Sequence, residues 1–367
     1  MRAEPTTLWA RWQQRALMDP PLTLLLIMTC ALGLLVLFSA GGANSGLLLR
    51  QAFRLGGGLV IMLVLSRIPP AAMRRWSGWI YLGGLLLLVL VAVLGEGRGA
   101  QRWLDLGVVR FQPSEVLKLA VPMTLAAYLH DRVLPLSFRD FVVCAVLIAV
   151  PALLIAEQPD LGTALLVAAS GGFVIFLAGF SWRWIGGGIM LGLASLPVLW
   201  HYMHDYQRQR VLTLLDPGAD PLGAGWHILQ SEIAVGSGGW LGKGYLQGTQ
   251  SQLDFLPERH TDFILAVFGE EFGWIGVLAL FLLYLAVVAR GLYIAMQARE
   301  TYSRLLAGAL SLAFFLYVMV NAGMISGVLP VVGVPLPFIS YGGTAAIVLL
   351  AGFGMIQSVH VHRRLVG

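Results

Sequence analysis

A helix needs about 20 apolar residues to cross a bilayer, and this chain supplies such stretches one after another. They run over residues 22–40, 47–66, 77–95, 113–129, 140–156, 161–180, 184–200, 263–289, 305–326 and 343–360. The 367 residues are 58% hydrophobic and 12% charged, about half the charged fraction of a soluble domain. A soluble enzyme is therefore excluded. The net charge of +5 is small and its bases are dispersed, so nucleic acid is not an expected partner. The pattern predicts an all-α, polytopic membrane bundle of about ten transmembrane helices, with residues 1–367 as one domain. The first stretch follows Arg11 and Arg15 but is too long for a secretory signal, so an uncleaved first span is expected.

The arginines orient the bundle. They gather in alternate gaps: Arg67, Arg74 and Arg75; Arg132 and Arg139; Arg183; Arg290, Arg299 and Arg304; Arg363 and Arg364. With Arg2, Arg11 and Arg15 in the cytoplasm, one side holds 14 Arg against five acids, and the outer side with its adjoining spans holds 14 acids against ten bases. Both termini are then cytoplasmic by the positive-inside rule. Parity requires the fourth segment to cross, although it carries Glu115, Lys118 and Pro122. Residues 201–262 become a large outer loop, expected to fold as short helices over the membrane. Cys30 and Cys144 both lie in apolar runs, so neither a disulfide framework nor a structural zinc site is readable.

The outer side holds the ionisable groups that need explaining. In Pro113-Ser114-Glu115-Val116-Leu117-Lys118, Pro at the first helical position and Glu in the first turn predict a helix start. Glu115 and Lys118 share a face at i,i+3. They form either a structural ion pair or the wall of a polar cavity for an anionic head group; intramembrane charges are functional by default, which favours the cavity. Upstream, Trp103 is either an interfacial belt residue or a platform for a sugar. Arg208 and Arg210 offer two guanidiniums matched to phosphate oxygens.

The run Gly236-Ser237-Gly238-Gly239-Trp240-Leu241-Gly242-Lys243-Gly244 is not a Walker motif, because Gly244 follows Lys243. Most of its glycines read as a flexible turn, with Lys243 as a phosphate contact. Finally, Asp262 lies where the loop enters the eighth span. Two readings stand equally: Thr261 or Asp262 caps that helix, or Asp262 is a general base in a partly desolvated mouth. Glu270 and Glu271 follow about two turns deeper, Glu270 on roughly the same face.

Several motifs then resemble one family. Gln101-Arg102-Trp103-Leu104-Asp105 through Phe111-Gln112-Pro113-Ser114-Glu115, Gln158-Pro159-Asp160-Leu161-Gly162-Thr163, Gly248-Thr249-Gln250-Ser251, Leu256-Pro257-Glu258-Arg259-His260-Thr261-Asp262-Phe263 and Pro335-Leu336-Pro337-Phe338-Ile339-Ser340-Tyr341-Gly342-Gly343 are similar to the SEDS proteins (shape, elongation, division and sporulation). The matches run in order along nearly the whole chain. Asp19-Pro20 and Arg208-Gln209-Arg210-Val211 fit the elongation branch of a Gram-negative rod more than the division paralogue.

The resemblance implies a ten-span peptidoglycan glycosyltransferase of the bacterial inner membrane, with its active site facing the periplasm. It implies that lipid II is polymerised into β-1,4 glycan. Its implied partners are a class B penicillin-binding protein and other elongation-complex membrane proteins, within membrane lipids. The family's essential aspartate falls on Asp262 and its cavity residues on Glu115 and Lys118. Trp103, Arg110, Arg208, Arg210, Lys243 and His260 complete the expected substrate-binding set. The sequence shows no complete metal-ligand set, and a divalent cation is left open. A lipid II flippase and a scaffold for the penicillin-binding protein are the competing functions. A flippase needs polar residues along its whole path, whereas here the ionisable groups concentrate on the outer side.

Overall fold

The structure, a computed structural model, describes residues 18–94, 104–105, 110–179, 205–219, 223–252 and 258–363, with isolated positions between 186 and 203. Its helices are α1 (Pro20–Ala40), α2 (Ser45–Arg67), α3 (Pro70–Leu94), α4 (Pro113–Leu129), α5 (Phe138–Glu157), α6 (Leu161–Leu177), α7 (Asp205–Leu215), α8 (Ala224–Ser237), α9 (Thr249–Gln252), α10 (Ile264–Gln297), α11 (Thr301–Ile325) and α12 (Gly343–His362). A two-residue antiparallel ladder pairs β1 (Leu104–Asp105) with β2 (Arg110–Phe111). Among the described residues seven helices are long and apolar enough to cross a membrane: α1, α2, α3, α5, α10, α11 and α12. The chain is a multi-pass membrane protein. The shorter α4 and α6 match the fourth and sixth expected segments; the seventh, 184–200, lies largely outside the described residues.

Local chemistry sets the helix starts. Asp19 caps α1 by accepting the Leu22 N–H, Asn44 caps α2, Ser137 caps α5 and Asp160 caps α6. Pro20 and Pro113 occupy first-turn positions where a missing N–H costs nothing. The third helix begins at Pro70 rather than at the expected 77, because Arg74 and Arg75 continue the helix while long side chains carry their charges to water. Between residues 201 and 262, α7, α8 and α9 are the expected short helices.

The eighth span differs most from expectation. α10 is 34 residues long and is broken at Gly273, where φ is 66° and ψ is −168°. The Gly-rich run is not a loose turn; it docks into this break. The N–H groups of Lys243 and Gly244 donate to the carbonyls of Glu270 and Glu271, while those of Trp274 and Ile275 donate to the carbonyls of Gly239 and Trp240. A Cβ on Gly242 would lie 2.1 Å from the Glu271 oxygen, and one on Gly273 would lie 2.3 Å from the Gly242 nitrogen. Both positions also have positive φ, so only glycine allows the two backbones to meet.

α11 is the hub, packing on α4, α6, α10 and α12. α2 and α12 approach closely where Gly58 meets Leu350 and Gly354 meets Met62, the small-residue contact that membrane helices favour.

At the end that the arginines place in the cytoplasm, Asp19 ties three helices together. Its carboxylate accepts from Arg290 of α10 at 2.9 and 2.7 Å. Its N–H donates to Gln357 Oε1 of α12 at 2.6 Å, and His360 Nδ1 lies 3.6 Å away. Burial pushes the Asp19 pKa up, but the Arg290 hydrogen bond, the Leu22 N–H and the charges of His360 and Arg290 outweigh it and hold it below the usual range. Removing one partner of a buried ion pair typically costs about 3–5 kcal/mol. Asp19→Ala and Arg290→Met are each expected to lower the melting temperature markedly. The double variant is expected to lose far less than the sum, which a thermal-denaturation cycle measures.

Candidate active site

The segment before α10 is held by its backbone. Three consecutive carbonyls each receive a donor: His260 O from Tyr341 N–H at 2.8 Å, Thr261 O from Ser340 Oγ at 2.5 Å and Asp262 O from Asn321 Nδ2 at 2.9 Å. Ser340 Oγ also accepts the Leu336 N–H, and Asn321 also donates to Val334 O at 2.8 Å. The 331–342 loop and α11 thus fix the position of Asp262. Neither Thr261 nor Asp262 caps α10. The N-cap is Phe263, without a side-chain cap bond, and Thr261 Oγ1 is turned back to Glu258. No described residue donates a hydrogen bond to the Asp262 carboxylate.

That carboxylate is half-buried, and its pKa is pushed up to about 6, first by burial and then by the negative charge of Glu258. A group with this pKa is ionised near neutral pH and still basic enough to take a proton. A Cβ on Gly333 would sit 3.4 Å from Asp262 Oδ2, so the 331–334 crossing passes directly beside it.

A second cluster connects to that crossing through α6 and α11. Lys118 Nζ and Glu115 Oε1 are 2.6 Å apart, both buried. The ammonium lies 5.1 Å from the centroid of the Tyr317 ring. Gln112 Nε2 donates to Asp160 Oδ2 at 2.9 Å beside them on the α6 cap. Gly162 on α6 packs against Val332 O, next to Gly333 and hence to Asp262. Tyr317 and Asn321 sit on one face of α11, one turn apart, about 6 Å along the axis. α11 therefore touches the ion pair with one residue and the Asp262 backbone with the next.

The remaining expected residues are placed unevenly. His260 joins the site; its ring lies 6.1 Å from that of Tyr341. Lys243 is not an open phosphate contact. It pairs with Glu270 Oε1 at 2.7 Å and donates to Thr249 Oγ1 at 2.8 Å. The same Glu270 oxygen accepts from Thr249 and the Gln250 N–H, and Ser39 bonds Glu271. Glu270 and Glu271 thus clamp the 243–250 loop onto the broken helix rather than facing the mouth with Asp262. Arg208 donates to the carbonyls of Trp200 and His201 at 3.0 and 2.6 Å and lies 3.7 Å from Asp205, so its contacts are local. Arg210 is half-buried on α7. Trp103 lies outside the described residues, and Arg110 is described only as backbone in β2.

Sequence reasoning missed Asn321, Ser340 and the polar α2 residues Gln51 and Arg54. The readable signal for Asn321 was a lone amide inside an apolar run, costly in lipid unless hydrogen-bonded. Among the described residues no three His, Cys, Asp or Glu side chains cluster around a metal position.

Long apolar helices, a clamped carboxylate beside a loop crossing and a buried Glu–Lys pair define a polytopic membrane protein with an ionisable site at one end of its bundle. The chain belongs to the SEDS family: the cell cycle protein family of FtsW, RodA and SpoVE matches residues 20–365. It is 54% identical over 350 residues to peptidoglycan glycosyltransferase MrdB of Escherichia coli (strain K12), covering 95% of both chains. It is 38% identical over 309 residues to the probable peptidoglycan glycosyltransferase FtsW of Geobacter sulfurreducens, covering 82% of both. Among solved structures, a chain of a peptidoglycan synthase complex that coordinates polymerization and crosslinking superposes with a TM-score of 0.82 at 35% identity, covering 95% of this chain and 98% of that one. The rod shape determining protein RodA of Thermus thermophilus gives 0.72 at 31% identity, with the same coverage.

The raised pKa of Asp262 predicts a stability signature. Its folded value of about 6 exceeds the unfolded value of about 3.9. The proton-bound form is therefore favoured by folding, and that contribution is lost as pH rises through 6. Asp262→Asn is expected to melt at or above the wild-type temperature at pH 7.5, with the gap closing towards pH 4. A helix cap predicts the reverse.

Proposed function

We propose that this chain is a peptidoglycan glycosyltransferase that polymerises lipid II at the outer mouth of its bundle, with Asp262 as general base. The observation that carries this reading is the Asp262 carboxylate: clamped through three backbone carbonyls, without a described hydrogen-bond donor, and with a pKa of about 6. The names of its relatives support the reaction class.

The chemistry follows from that position. The acceptor's GlcNAc 4-hydroxyl oxygen attacks the anomeric carbon of the donor sugar, and Asp262 takes its proton. The bond from that carbon to the diphosphate oxygen breaks, and the polyprenyl diphosphate leaves with the electron pair. Attack from the opposite face inverts the α-linked donor to a β-1,4 glycan. Positively charged groups stabilise the departing anion; Lys118, beside Tyr317 on the α11 face that also carries Asn321, is the candidate. The buried Glu115–Lys118 pair lines the substrate cavity across the 331–334 crossing. Both termini lie in the cytoplasm, and the site opens to the periplasm. The partner is a class B penicillin-binding protein, which cross-links the nascent strands within the elongation complex.

Purified complex in detergent is expected to elongate lipid II into glycan, and to do so when β-lactam blocks cross-linking. Asp262→Asn should lower the rate about 10²–10⁴-fold. Wild-type kcat/KM should fall on the acid side with a midpoint near pH 6, since the base must be ionised. Near-normal turnover by Asp262→Asn contradicts the assignment. Lipid II movement across sealed vesicles without polymer formation in detergent favours a flippase.

The ion pair has its own test in the same assay. Glu115→Gln and Lys118→Met are each expected to reduce polymerisation, with a non-additive double variant. Strict additivity, or full activity of both single variants, removes the pair from the cavity.

A further inference from the structure

The α2 helix carries a charge that the fold leaves uncompensated. Arg54 lies about two and a half turns into α2, half-buried. Its guanidinium stacks on the Tyr341 ring, 4.7 Å from the centroid. Among the described residues no carboxylate, carbonyl or hydroxyl accepts from it. A charged side chain within a membrane helix is costly without a partner or a water-filled cavity, and one cation–π contact offsets only part of that.

Its surroundings sharpen the imbalance. A Cβ on Gly343 would come within 3.3 Å of Arg54 Nε, so the guanidinium faces the start of α12. That helix begins after Gly342 with no side-chain cap, and its first-turn N–H groups carry the positive end of the helix dipole. Two positive features therefore converge.

A third observation is independent of charge. Gln51, one turn before Arg54, is 1% exposed. Its Nε2 donates to Ser340 O at 3.2 Å, but its Oε1 is buried without a donor. Buried amide oxygens are normally satisfied, and among the described residues no group donates to this one. The corner adjoins the reacting end of the site. Tyr341, under Arg54, donates its N–H to His260 O, two residues before Asp262.

We propose that Arg54, Gln51 and the first turn of α12 form a subsite for the diphosphate and adjoining sugar of a lipid-linked substrate. Arg54 and the α12 amides hold the diphosphate oxygens, and Gln51 Oε1 accepts from a sugar hydroxyl or amide. The subsite holds the diphosphate equally in the ground and transition states, so it sets affinity rather than the rate of the chemical step. The subsite rests on the glycosyltransferase reading for its substrate, but its affinity for diphosphate is measurable without turnover.

The test uses the full chain in complex with its penicillin-binding partner. Arg54→Gln should raise the apparent KM for lipid II about tenfold and leave kcat within about twofold, the signature of lost substrate binding. Inorganic pyrophosphate should inhibit wild type and inhibit Arg54→Gln about tenfold more weakly. Arg54→Lys should recover part of both effects. Thermal shift separates this subsite from the catalytic assignment. Inorganic pyrophosphate and a polyprenyl diphosphate should both stabilise the Asp262→Asn complex, and neither should stabilise Arg54→Gln. The polyprenyl diphosphate should act at the lower concentration. If wild type makes no polymer but this contrast persists, the anion subsite stands and the glycosyltransferase reading fails. Unchanged KM and inhibition in Arg54→Gln would assign Arg54 to packing on Tyr341 alone. A response to phosphatidylglycerol nanodiscs equal to that to polyprenyl diphosphate would make it a phospholipid contact. Either result overturns the proposal.

Discussion

A backbone inside a bilayer has no water to satisfy it, and the hydrogen bonds across the Gly273 break meet that constraint at the one place where α10 fails to do so itself. Two carbonyls and two N–H groups freed by the break are taken up by residues 239–244. The same docking brings Lys243 to Glu270 and leads the chain through α9 towards the Asp262 segment. Residues 239–250 are thus anchored to the bundle by backbone bonds and a half-buried ion pair. Preorganised groups lose less on reaching a reactive geometry than mobile ones.

Much of the architecture was legible because the bilayer imposes one period and one length. Nine of the ten apolar segments appear as helices among the described residues. Pro113 and Glu115 marked the start of α4 because a first turn tolerates proline and favours a carboxylate. The break in α10 was not legible. Its flanks, Phe272 and Trp274, are apolar, and a single glycine inside an apolar run reads as helix unless its docking partner is known. The Gly-rich partner lies about thirty residues upstream, beyond the reach of any local pattern.

The site was half legible for a similar reason. A carboxylate at the mouth of a span stands out in sequence, and so does an i,i+3 Glu–Lys pair in an apolar helix. What the sequence does not reveal is commitment. Lys243 and Arg208 look like open cations until Glu270 and the carbonyls of Trp200 and His201 are seen to occupy them. Arg54 is the converse. It reads as one more outer arginine, and only the absence of an acceptor around it, beside an uncapped helix, gives it chemical interest.

The knot at Asp19 has a consequence for biosynthesis. Its carboxylate and N–H reach residues 271 and 338 positions later in the chain, so Asp19 is made long before its partners are translated. Until α10 arrives it carries a charge with no counterion, and until α12 arrives its N–H lacks the glutamine that receives it. The first helix can therefore settle only when the last has been made. A chain cut short by a nonsense mutation or a stalled ribosome leaves that end unlatched.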